Sequence, residues 1–518
     1  MKPNDLNQIK LTILDKRIDS FINGYRQNVA IFAHDEEEVS HLLDAYLGGK
    51  TIPSTKIVRT CAAHTDRKMF FKHVIYSLLG DLPCADLDGL INTAAGTLPK
   101  TIATIKQALQ KASIDFLDLT ETINTFITES NLRCLWVIEQ FHEMQELFPC
   151  CFEDFAKFII LQRQCMVTLA TSSEKASAKI ISTELNLLFG NFEKIDLSDG
   201  LFTENCHHIK GRLAPIVPSD FMTTFLEDIL DGNTLYYQHV LANFSHNTQK
   251  TEESLLLDNI NKTLYNKQTY LHQKFLRNIA VINETHKIPQ ATLRILSAIC
   301  EGYLRKQELA SLNICDNRSL EGRLIKLCEQ GYIINNGTIY KVRDRLFGFW
   351  AANIFKYYLN ICDDRVRLKA YTDNMKNYIS AYALGTRKNG VAVMLDLLQS
   401  FKNDTISLGK DNYRLCAMAK TKIVSDDAET KIMVGEGKEI IFMGVKEGPA
   451  QDSDIFSFAE KSDRIKGKGI KKVFVSFGNM SDTVRLAAKN HKLISWDINE
   501  VNQLLKIYNK PLLPSGNK

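Results

Sequence analysis

The chain has no run of about 18 uncharged apolar residues, which is the length that a membrane-spanning helix needs. Its first residues alternate charged and apolar side chains, and so they lack the apolar core of a signal peptide. The twelve cysteines include no CxxC pair, which makes a zinc site improbable and indicates free thiols in a reducing compartment. We therefore expect a cytoplasmic protein with no membrane partner and no metal site.

The sequence also lacks a strong charge imbalance, because its net charge is only +4 over 518 residues. Composition alone therefore does not indicate a nucleic-acid-binding protein. With 45% hydrophobic and 24% charged residues the chain is typical of globular proteins, and its length predicts two to four domains of roughly 100 to 200 residues each. Hydrophobic periodicity and turn residues predict four domains, at 1–210, 211–285, 286–360 and 361–518.

Short apolar runs alternate with helical patterns in the first of these segments. The runs have the length of buried strands, and they lie at 29–32, 56–60, 134–139, 166–170 and 192–196. Helical stretches lie between them, for example at 66–79 and 152–162. This alternation predicts an α/β domain in which helices connect the strands of a parallel sheet.

The turn after the first predicted strand contains no glycine. In an open parallel sheet this turn faces the ligand crevice, and a phosphate-binding loop there needs glycines, a lysine and a serine or threonine. In the segment AHDEEEVS (33–40), Ala33 and Glu38 stand where the glycines belong, and Val39 stands where the lysine belongs. Ser40 alone matches the motif.

Acidic residues are concentrated in the same turn. Asp35 and the glutamates at 36–38 stabilise the start of a helix, and they would repel a triphosphate. We therefore interpret the segment as a capped helix start, with His34 and Ser40 as the remnant of a nucleotide site. ATP and magnesium are expected only if this remnant still binds them.

Residues after two later strands belong to the same remnant. In CLWVIEQFHEM, Glu139 and Gln140 stand where an acidic pair would hold magnesium and activate water, but Gln140 is neutral and cannot act as a general base. A buried acid at a strand end pairs more often with an arginine. Thr171 ends the next strand, where such ATPases sense the γ-phosphate, although hydroxyl residues are also common in turns.

The middle of the chain predicts a helical lid or connector and then a winged helix-turn-helix. Residues 289–340 form three helical patterns and a hairpin that turns at Asn336-Gly337. In a DNA-reading module of this kind, the third helix enters the major groove and the hairpin contacts phosphates. The candidate DNA-contacting residues of the third helix are Arg318, Ser319, Arg323 and Lys326. Such modules also dock proteins, so a protein partner is the alternative.

The order of these segments resembles the archaeal-type ATPase family of P-loop proteins, which are relatives of the AAA+ and STAND NTPases. In that family an ATPase domain is followed by a winged helix and a C-terminal domain of restriction-endonuclease-like fold. The segment YKVRDRLFGFWAANIF is similar to the family's junction after the hairpin, with Asp344 and Trp350 at its recurring positions. The resemblance covers nearly the whole chain in layout, whereas most motif residues are absent. The aromatic residues of the junction predict a packing seam.

The resemblance implies a nuclease-type metal site in the last segment. In the endonuclease-like fold, an aspartate on one strand and an E-x-K motif on the next hold magnesium at the scissile phosphate. Here the motif position reads Gly444-Val445-Lys446, so the lysine is present and the glutamate is missing. Asp426 and Asp427 are the candidate carboxylates upstream, and cleavage requires that one of them has replaced the missing ligand.

A basic run at 461–472 (KSDRIKGKGIKK) forms the last candidate surface, in which Arg464, Lys466 and Lys468 are predicted to contact DNA. Together these features predict a catalytically degenerate ATPase-family protein that binds DNA or a protein partner through the winged helix and this basic surface. The alternative is an active ATPase or metal-dependent nuclease with displaced ligands. Whether the protein is an enzyme therefore stays open at this point.

Overall fold

The structure is a computed structural model that describes residues 5–33, 36–80, 86–173, 177, 179–185, 192–197, 202–214, 216–244, 250–409, 411–426, 430–464 and 469–514. The chain divides into two compact units. The first comprises Met1–Gly200 with Asn233–Leu235, and the second comprises Leu201–Gly232 with Tyr236–Lys518. The finer division into four domains stays a prediction. No helix of the described ranges is long and apolar enough to cross a membrane.

A five-stranded parallel sheet forms the centre of the first unit. Its strands are β1 (Asn28–Phe32), β2 (Thr55–Cys61), β3 (Arg133–Glu139), β4 (Cys165–Thr171) and β5 (Phe192–Asp196). Their order is β2-β3-β4-β1-β5, and every neighbouring pair is parallel. The predicted α/β class and all five predicted strands are therefore confirmed.

Helices pack against this sheet and bury its apolar side chains in two cores. One core contains Trp136 of β3 with the helix residues Phe71 and Phe155, and the other contains Ile31 of β1 with Leu43. Burial on both sides explains why the central strands β1 and β4 carry no charged side chain, whereas the edge strands β2 and β5 do. The helices are α1 (Asp5–Ile22), α2 (Glu36–Leu47), α3 (Arg67–Leu79), α4 (Leu87–Ala94), α5 (Pro99–Gln110), α6 (Phe116–Ser130), α7 (Met144–Leu147) and α8 (Cys151–Leu161).

The second unit contains most of the remaining helices. The helix predicted after Pro218 is present, and Ser219 begins it by accepting a hydrogen bond from the amide of Met222. The helices are α9 (Phe202–Leu213), α10 (Asp220–Leu230), α11 (Thr234–Leu241), α12 (Glu252–Ile260), α13 (Tyr270–Thr285), α14 (Pro289–Cys300), α15 (Lys306–Ser311), α16 (Asn317–Glu329), α17 (Arg345–Trp350), α18 (Lys356–Asn360), α19 (Asp364–Thr386), α20 (Gly390–Leu398), α21 (Asp452–Asp463), α22 (Asp482–Asn490) and α23 (Ile498–Ile507). The first two residues of α11 group with the first unit.

The three helices and the hairpin predicted for residues 289–340 are present as α14, α15, α16 and two antiparallel strands, β6 (Ile333–Asn336) and β7 (Ile339–Val342). Gly337 in the hairpin turn has a φ of +66°, a conformation that glycine adopts without strain. The sequence pattern therefore gave both the order and the turn of these elements correctly.

Aromatic side chains pack around α17 in the core of the second unit. The ring centroids of Trp350 and Phe275 are 5.5 Å apart, and those of Trp350 and Phe355 are 5.1 Å apart. Phe347 is also buried against Phe275. These aromatic residues therefore stabilise packing, and Trp350 and Phe347 are not exposed for base stacking.

A mixed sheet follows in the same unit, in the order β10-β11-β12-β13-β14. Strands β10 to β12 pair antiparallel and the last two pairs are parallel. The turn between β11 and β12 lies at residues 438–439. A hairpin of β8 and β9, which the sequence patterns did not indicate, precedes the sheet. The strands are β8 (Asp404–Leu408), β9 (Asp411–Leu415), β10 (Met418–Asp426), β11 (Lys431–Gly437), β12 (Ile440–Lys446), β13 (Ile470–Ser476) and β14 (Ile494–Trp496).

Candidate functional site

The strand order locates a ligand crevice at the carboxyl ends of β1 and β4. The connection after β1 leads to β2 at one edge of the sheet, while the connection after β4 leads to β5 at the other edge. Parallel sheets bind ligands where the connections of adjacent strands diverge in this way. The backbone N–H of Ala33 donates to the carbonyl oxygen of Thr171 at 3.0 Å, so the turn after β1 lies directly beside the end of β4.

The helix that follows this turn begins with the three predicted acids, Glu36 to Glu38. Glu38 is buried, and its carboxylate accepts a hydrogen bond from the backbone N–H of Thr234 at 3.3 Å. The remnant residue His34 and the neighbouring Asp35 lie outside the described residues. The described start of α2 therefore uses one of its acids in an internal contact.

Arg59 of β2 reaches the two residues that the motif comparison assigned to magnesium. Its Nε lies 2.6 Å from Oε1 of Glu139, and its Nη2 lies 3.2 Å from both the hydroxyl and the carbonyl oxygen of Ser40. Asp44 accepts a further hydrogen bond from Nη1. Burial opposes the positive charge of Arg59, but the hydrogen bonds to Glu139 and Asp44 hold the pKa of the guanidinium above its ordinary value.

This arrangement does not fit magnesium. In a P-loop ATPase the serine hydroxyl and the strand-end acid belong to the metal site, and a carboxylate is the main protein contribution to such a site. In this chain the Ser40 hydroxyl and the Glu139 carboxylate both contact a permanent internal cation. A divalent ion placed between them would be repelled by the guanidinium and would have to break its hydrogen bonds.

The ends of β3 and β4 are joined by a second group of polar contacts. Oε1 of Gln140 accepts hydrogen bonds from the backbone N–H of Ser172 at 3.1 Å and from its hydroxyl at 2.8 Å. Gln140 itself is buried and has a φ of +50°. The side chain that stands at the second acidic position therefore holds the strand-end turn in place, and it cannot remove a proton from water.

Thr171 is also fully buried, and its hydroxyl has internal partners. It lies 3.0 Å from Nδ1 of His142 and 2.8 Å from the hydroxyl of Ser177, and it accepts a hydrogen bond from the backbone N–H of Ser173 at 2.9 Å. A hydroxyl that senses a γ-phosphate must face the ligand. These contacts occupy the hydroxyl instead, so Thr171 acts as a structural residue in this conformation.

No metal site is apparent in the described ranges, where no group of three or more His, Cys, Asp and Glu side chains is placed to hold an ion. The Lys446 side chain at the end of β12 pairs with an internal acid, since its Nζ lies 2.5 Å from Oδ2 of Asp454. Asp454 is buried, and the same oxygen accepts a hydrogen bond from the N–H of Gln451 at 2.7 Å. The lysine of the E-x-K position therefore stabilises the start of α21.

The strand register shows which residues face the motif position. Val445 pairs with Lys431, and Lys431 pairs in turn with Asp426. A lysine therefore stands where the resemblance led us to expect a carboxylate on β11. Asp426 ends β10, and its side chain and the whole of Asp427 lie outside what the structure describes.

Helix α16 contains the four candidate DNA-contacting residues, and three of them make internal contacts. The hydroxyl of Ser319 donates to Asp316 at 2.7 Å, and Nη1 of Arg323 donates to Oγ1 of Thr292 at 2.9 Å. Lys326 donates to the carbonyl oxygen of Thr285, at the end of α13. Arg318, in contrast, is exposed.

The tip of the β6–β7 hairpin is also engaged, so the expectation that it contacts phosphates needs correction. The amide of Asn336 donates to the carbonyl oxygen of Ser407 at 3.0 Å and accepts from the N–H of Ser407 at 2.6 Å. The N–H of Thr338 donates to the carbonyl oxygen of Thr405 at 2.9 Å. The tip therefore pairs with β8, which the sequence analysis did not anticipate.

Three cations in the described part of the basic run are paired with acids. Arg464 lies 2.5 Å from Oε1 of Glu460, Lys471 lies 2.7 Å from Oε2 of Glu439, and Lys472 pairs with Asp463. The candidates Lys466 and Lys468 lie outside the described residues. Surface pairs of this kind are weak, so these cations remain available to a phosphate that offers a better partner.

Arg59 and Asp454, which hold the candidate catalytic residues in place, were missed by the sequence analysis. Arg59 is separated from Glu139 by 80 positions in the chain, and no local spacing links the two. Two features of the sequence could have indicated the Arg59–Glu139 pair. Arg59 is a charged residue inside the apolar run KIVRT, and a buried acid such as Glu139 generally has an arginine partner.

No family model and no curated protein matches the chain. Among solved structures, a Walker-type ATPase of Pyrococcus abyssi is 14% identical with a TM-score of 0.39, over 67% of this chain and 95% of that chain. Cdc6p from Pyrobaculum aerophilum is 10% identical with a TM-score of 0.30, over 73% and 96%. The ORC1 protein of Aeropyrum pernix, solved in complex with DNA, is 10% identical with a TM-score of 0.33, over 69% and 95%. At these identities and TM-scores, the likenesses assign neither a fold nor a function to this chain.

Proposed function

We propose that the protein is a catalytically inactive relative of the archaeal-type P-loop ATPases and that it acts by binding DNA or a protein partner. One observation carries this proposal: the guanidinium of Arg59 contacts both Ser40 and Glu139, the two residues that would otherwise serve magnesium. The neutral Gln140 and the pairing of Lys446 with Asp454 support it, because they leave neither a general base nor a free motif lysine.

The proposal assigns a role to each of the four predicted domains. Residues 1–210 form the degenerate ATPase-like domain, 211–285 the helical connector, 286–360 the winged helix-turn-helix, and 361–518 the restriction-endonuclease-like domain. The parallel sheet supports the first assignment, and the three helices with a hairpin support the third. The mixed five-stranded sheet, with helices in both of its apolar cores, supports the fourth.

DNA is the target that charge and exposure support, through the exposed Arg318 at the start of α16 and through the basic run around Arg464. The test is fluorescence anisotropy of labelled duplex DNA at several salt concentrations. We expect binding that weakens steeply with salt, because phosphate contacts release condensed counterions. Arg318→Glu should weaken binding at every salt concentration, whereas Arg365→Glu, an exposed control on α19, should not.

A protein partner is the second candidate, because the hairpin tip and two of the helix cations are engaged inside the second unit. Capture of the full chain with its partners from native cells, with and without nuclease, separates the two targets. A partner retained after nuclease treatment supports protein binding, and loss of all partners supports bridging by nucleic acid. Absence of both DNA binding and a reproducible partner would contradict the proposed function.

The remaining alternative is an active enzyme with displaced ligands. Phosphate release from ATP and magnesium-dependent nicking of plasmid DNA test it directly. We expect neither activity above that of buffer. Nicking that disappears in Lys446→Ala, or ATP hydrolysis that disappears in Ser40→Ala, would show instead that a catalytic site has been rebuilt with other carboxylates.

A further inference from the structure

A cavity of about 420 Å³ lies inside the second unit. Its walls come from α10, α14, α17 and α19, from strand β7, and from the chain segment after α23. The volume is in the range of pockets that bind small organic molecules. Neither the proposed ATPase remnant nor the proposed DNA surface uses this cavity.

Four cationic side chains line the cavity, and two of them have carboxylate partners. Arg345 pairs with Asp228 and donates further hydrogen bonds to main-chain and amide oxygens, while Nζ of Lys356 lies 3.8 Å from Oε1 of Glu301. Arg345 therefore acts as a structural residue whose charge is balanced. The other two cations are Lys341 and Lys510.

Lys341 and Lys510 are partly buried, and neither ammonium group has a carboxylate within ion-pair distance among the residues that the structure describes. Burial lowers the pKa of Lys341 to about 8, and burial also lowers the pKa of Lys510. A partly buried ammonium without a partner is unfavourable, and an anion bound in the cavity beside it would reduce that cost. Lysines with a lowered pKa in a cavity are typical of binding sites.

The remaining wall is apolar and aromatic. Phe349 and Tyr378 pack edge to face with ring centroids 5.6 Å apart, and Ile229 and Val342 extend this surface. Asn374 adds an amide group. The cavity therefore combines two unpaired positive charges with a surface that suits the ring of a small ligand.

We infer that this cavity binds a small phosphate monoester, with the phosphate at Lys341 and Lys510 and the organic group against Tyr378 and Phe349. The charges match, because a phosphate monoester carries about −1.5 to −2 at pH 7 and the two ammonium groups supply two positive charges. A carboxylate, a sulfate ester or a phosphodiester carries one negative charge and leaves one ammonium unmatched. The inference does not rest on the proposed function, since it concerns other residues in the other unit.

Two probes of the same shape and different charge test the inference by isothermal titration calorimetry on the full chain. Phenyl phosphate should bind, and phenyl sulfate should bind about tenfold more weakly or not at all, since it lacks the second charge. Inorganic phosphate should also bind more weakly, because it makes no contact with the aromatic wall. Absence of phenyl phosphate binding, or equal affinities for phenyl phosphate and phenyl sulfate, would overturn the assignment. Equal affinities for phenyl phosphate and inorganic phosphate would overturn the role given to Tyr378 and Phe349.

Lysine variants assign the binding to this cavity. Lys341→Met and Lys510→Met should each weaken phenyl phosphate binding about tenfold or more, whereas Lys489→Met, an exposed control on α22, should leave it unchanged. Amine acetylation read by mass spectrometry adds an independent measurement on the unmutated protein. Phenyl phosphate should protect Lys341 and Lys510 but not Lys489. Unchanged affinity in both cavity variants, or equal protection at Lys489, would contradict the inference.

Discussion

The guanidinium Nε of Arg59 lies 2.6 Å from a carboxylate oxygen of Glu139, at the edge of the sheet where a nucleotide would bring its magnesium. Glu139 is buried, and about a quarter of the Arg59 side chain is exposed. The same guanidinium contacts Ser40. The crevice therefore contains an internal cation, which explains how its acid and its hydroxyl are satisfied without a ligand.

Removal of this cation should destabilise the first unit. Arg59→Met leaves the buried Glu139 carboxylate without its partner, so the free energy of unfolding should fall by about 2 to 4 kcal/mol. Urea denaturation followed by circular dichroism measures this change. The double variant Arg59→Met/Glu139→Gln should recover part of the loss, because it removes the uncompensated charge. Equal stabilities of the wild type and Arg59→Met would show that the pair is not a structural element.

The hairpin tip should be sensitive to the smallest possible substitution. A Cβ atom on Gly337 would lie 1.9 Å from the carbonyl oxygen of Thr405, and the φ of +66° is itself unfavourable for alanine. Gly337→Ala should therefore cost about 2 kcal/mol or more of stability. Gly322→Ala is the matched control, because Gly322 lies in helix α16 with no atom close to its Cβ position.

The free energy of unfolding of the Gly322→Ala control should rise by roughly 0.5 to 1 kcal/mol, because alanine is more favourable than glycine in a helix interior. Differential scanning calorimetry of both variants separates the two effects. If Gly337→Ala unfolds at the same temperature as the wild type, the hairpin tip is not held against β8, and it becomes available to DNA.

Asp404 should make the second unit sensitive to acid. Burial favours the neutral form of Asp404, but hydrogen bonds from Arg305 at 2.7 and 2.8 Å hold its pKa below the ordinary value of 3.8. A carboxyl group with a lowered pKa contributes its full stability above the unfolded-state value and loses that contribution as pH falls through the folded-state value. Asp404→Asn should therefore cost about 3 to 5 kcal/mol at pH 7.

This difference between the wild type and Asp404→Asn should shrink as pH falls below about 4, because the carboxyl of the unfolded chain takes up a proton there and the folded carboxyl does so at lower pH. Urea titrations at pH 7, 5 and 3 measure it. Asp396→Asn is the control, because Asp396 forms a more exposed pair with Lys388. A difference that is independent of pH would show that Asp404 acts through packing and not through its charge.

Lys341 predicts a pH dependence of the same sign in a more alkaline interval. Its pKa of about 8 in the folded protein lies below the ordinary 10.5, so the unfolded chain binds an extra proton between these values and stability rises with pH across that interval. The charged groups that act on it are Asp231, Arg345 and Lys506. At pH 7 Lys341→Met should be more stable than the wild type by about 1 to 3 kcal/mol.

The advantage of Lys341→Met should diminish above about pH 8, as the wild-type lysine loses its proton in the folded state. Thermal unfolding at pH 7, 8.5 and 10 in phosphate-free buffer measures it, with Lys489→Met as the exposed control. A variant that is less stable than the wild type at pH 7 would mean that Lys341 has a partner.

The sequence predicted the elements of the first unit well because β1, β3 and β4 are mostly apolar and turn residues follow their ends. It also located Glu139, Gln140 and Thr171 at strand ends that converge in the structure. It could not supply the partners of these residues, because Arg59 reaches Glu139 across 80 positions. Such pairings depend on strand order, which periodicity does not encode.

The β8–β9 hairpin was missed for a different reason. Each of its strands has only five residues, and charged or polar side chains such as Asp404 and Arg414 interrupt the apolar pattern. The buried Asp404 carboxylate accepts hydrogen bonds from Arg305 and Tyr508, and these contacts span 99 and 104 positions. The contact of Asn336 with Ser407 also spans a long stretch of the chain, 71 positions, and the sequence pattern did not indicate it.

Equilibrium titration of the full chain with a fluorescent ATP analogue and magnesium tests the central claim most directly. A crevice in which Arg59 occupies the Glu139 carboxylate and the Ser40 hydroxyl predicts no saturable signal, and none that unlabelled ATP can displace. Saturable binding with micromolar affinity, lost in Ser40→Ala or Glu139→Gln, would contradict the account, because these residues would then hold magnesium and nucleotide in place of Arg59.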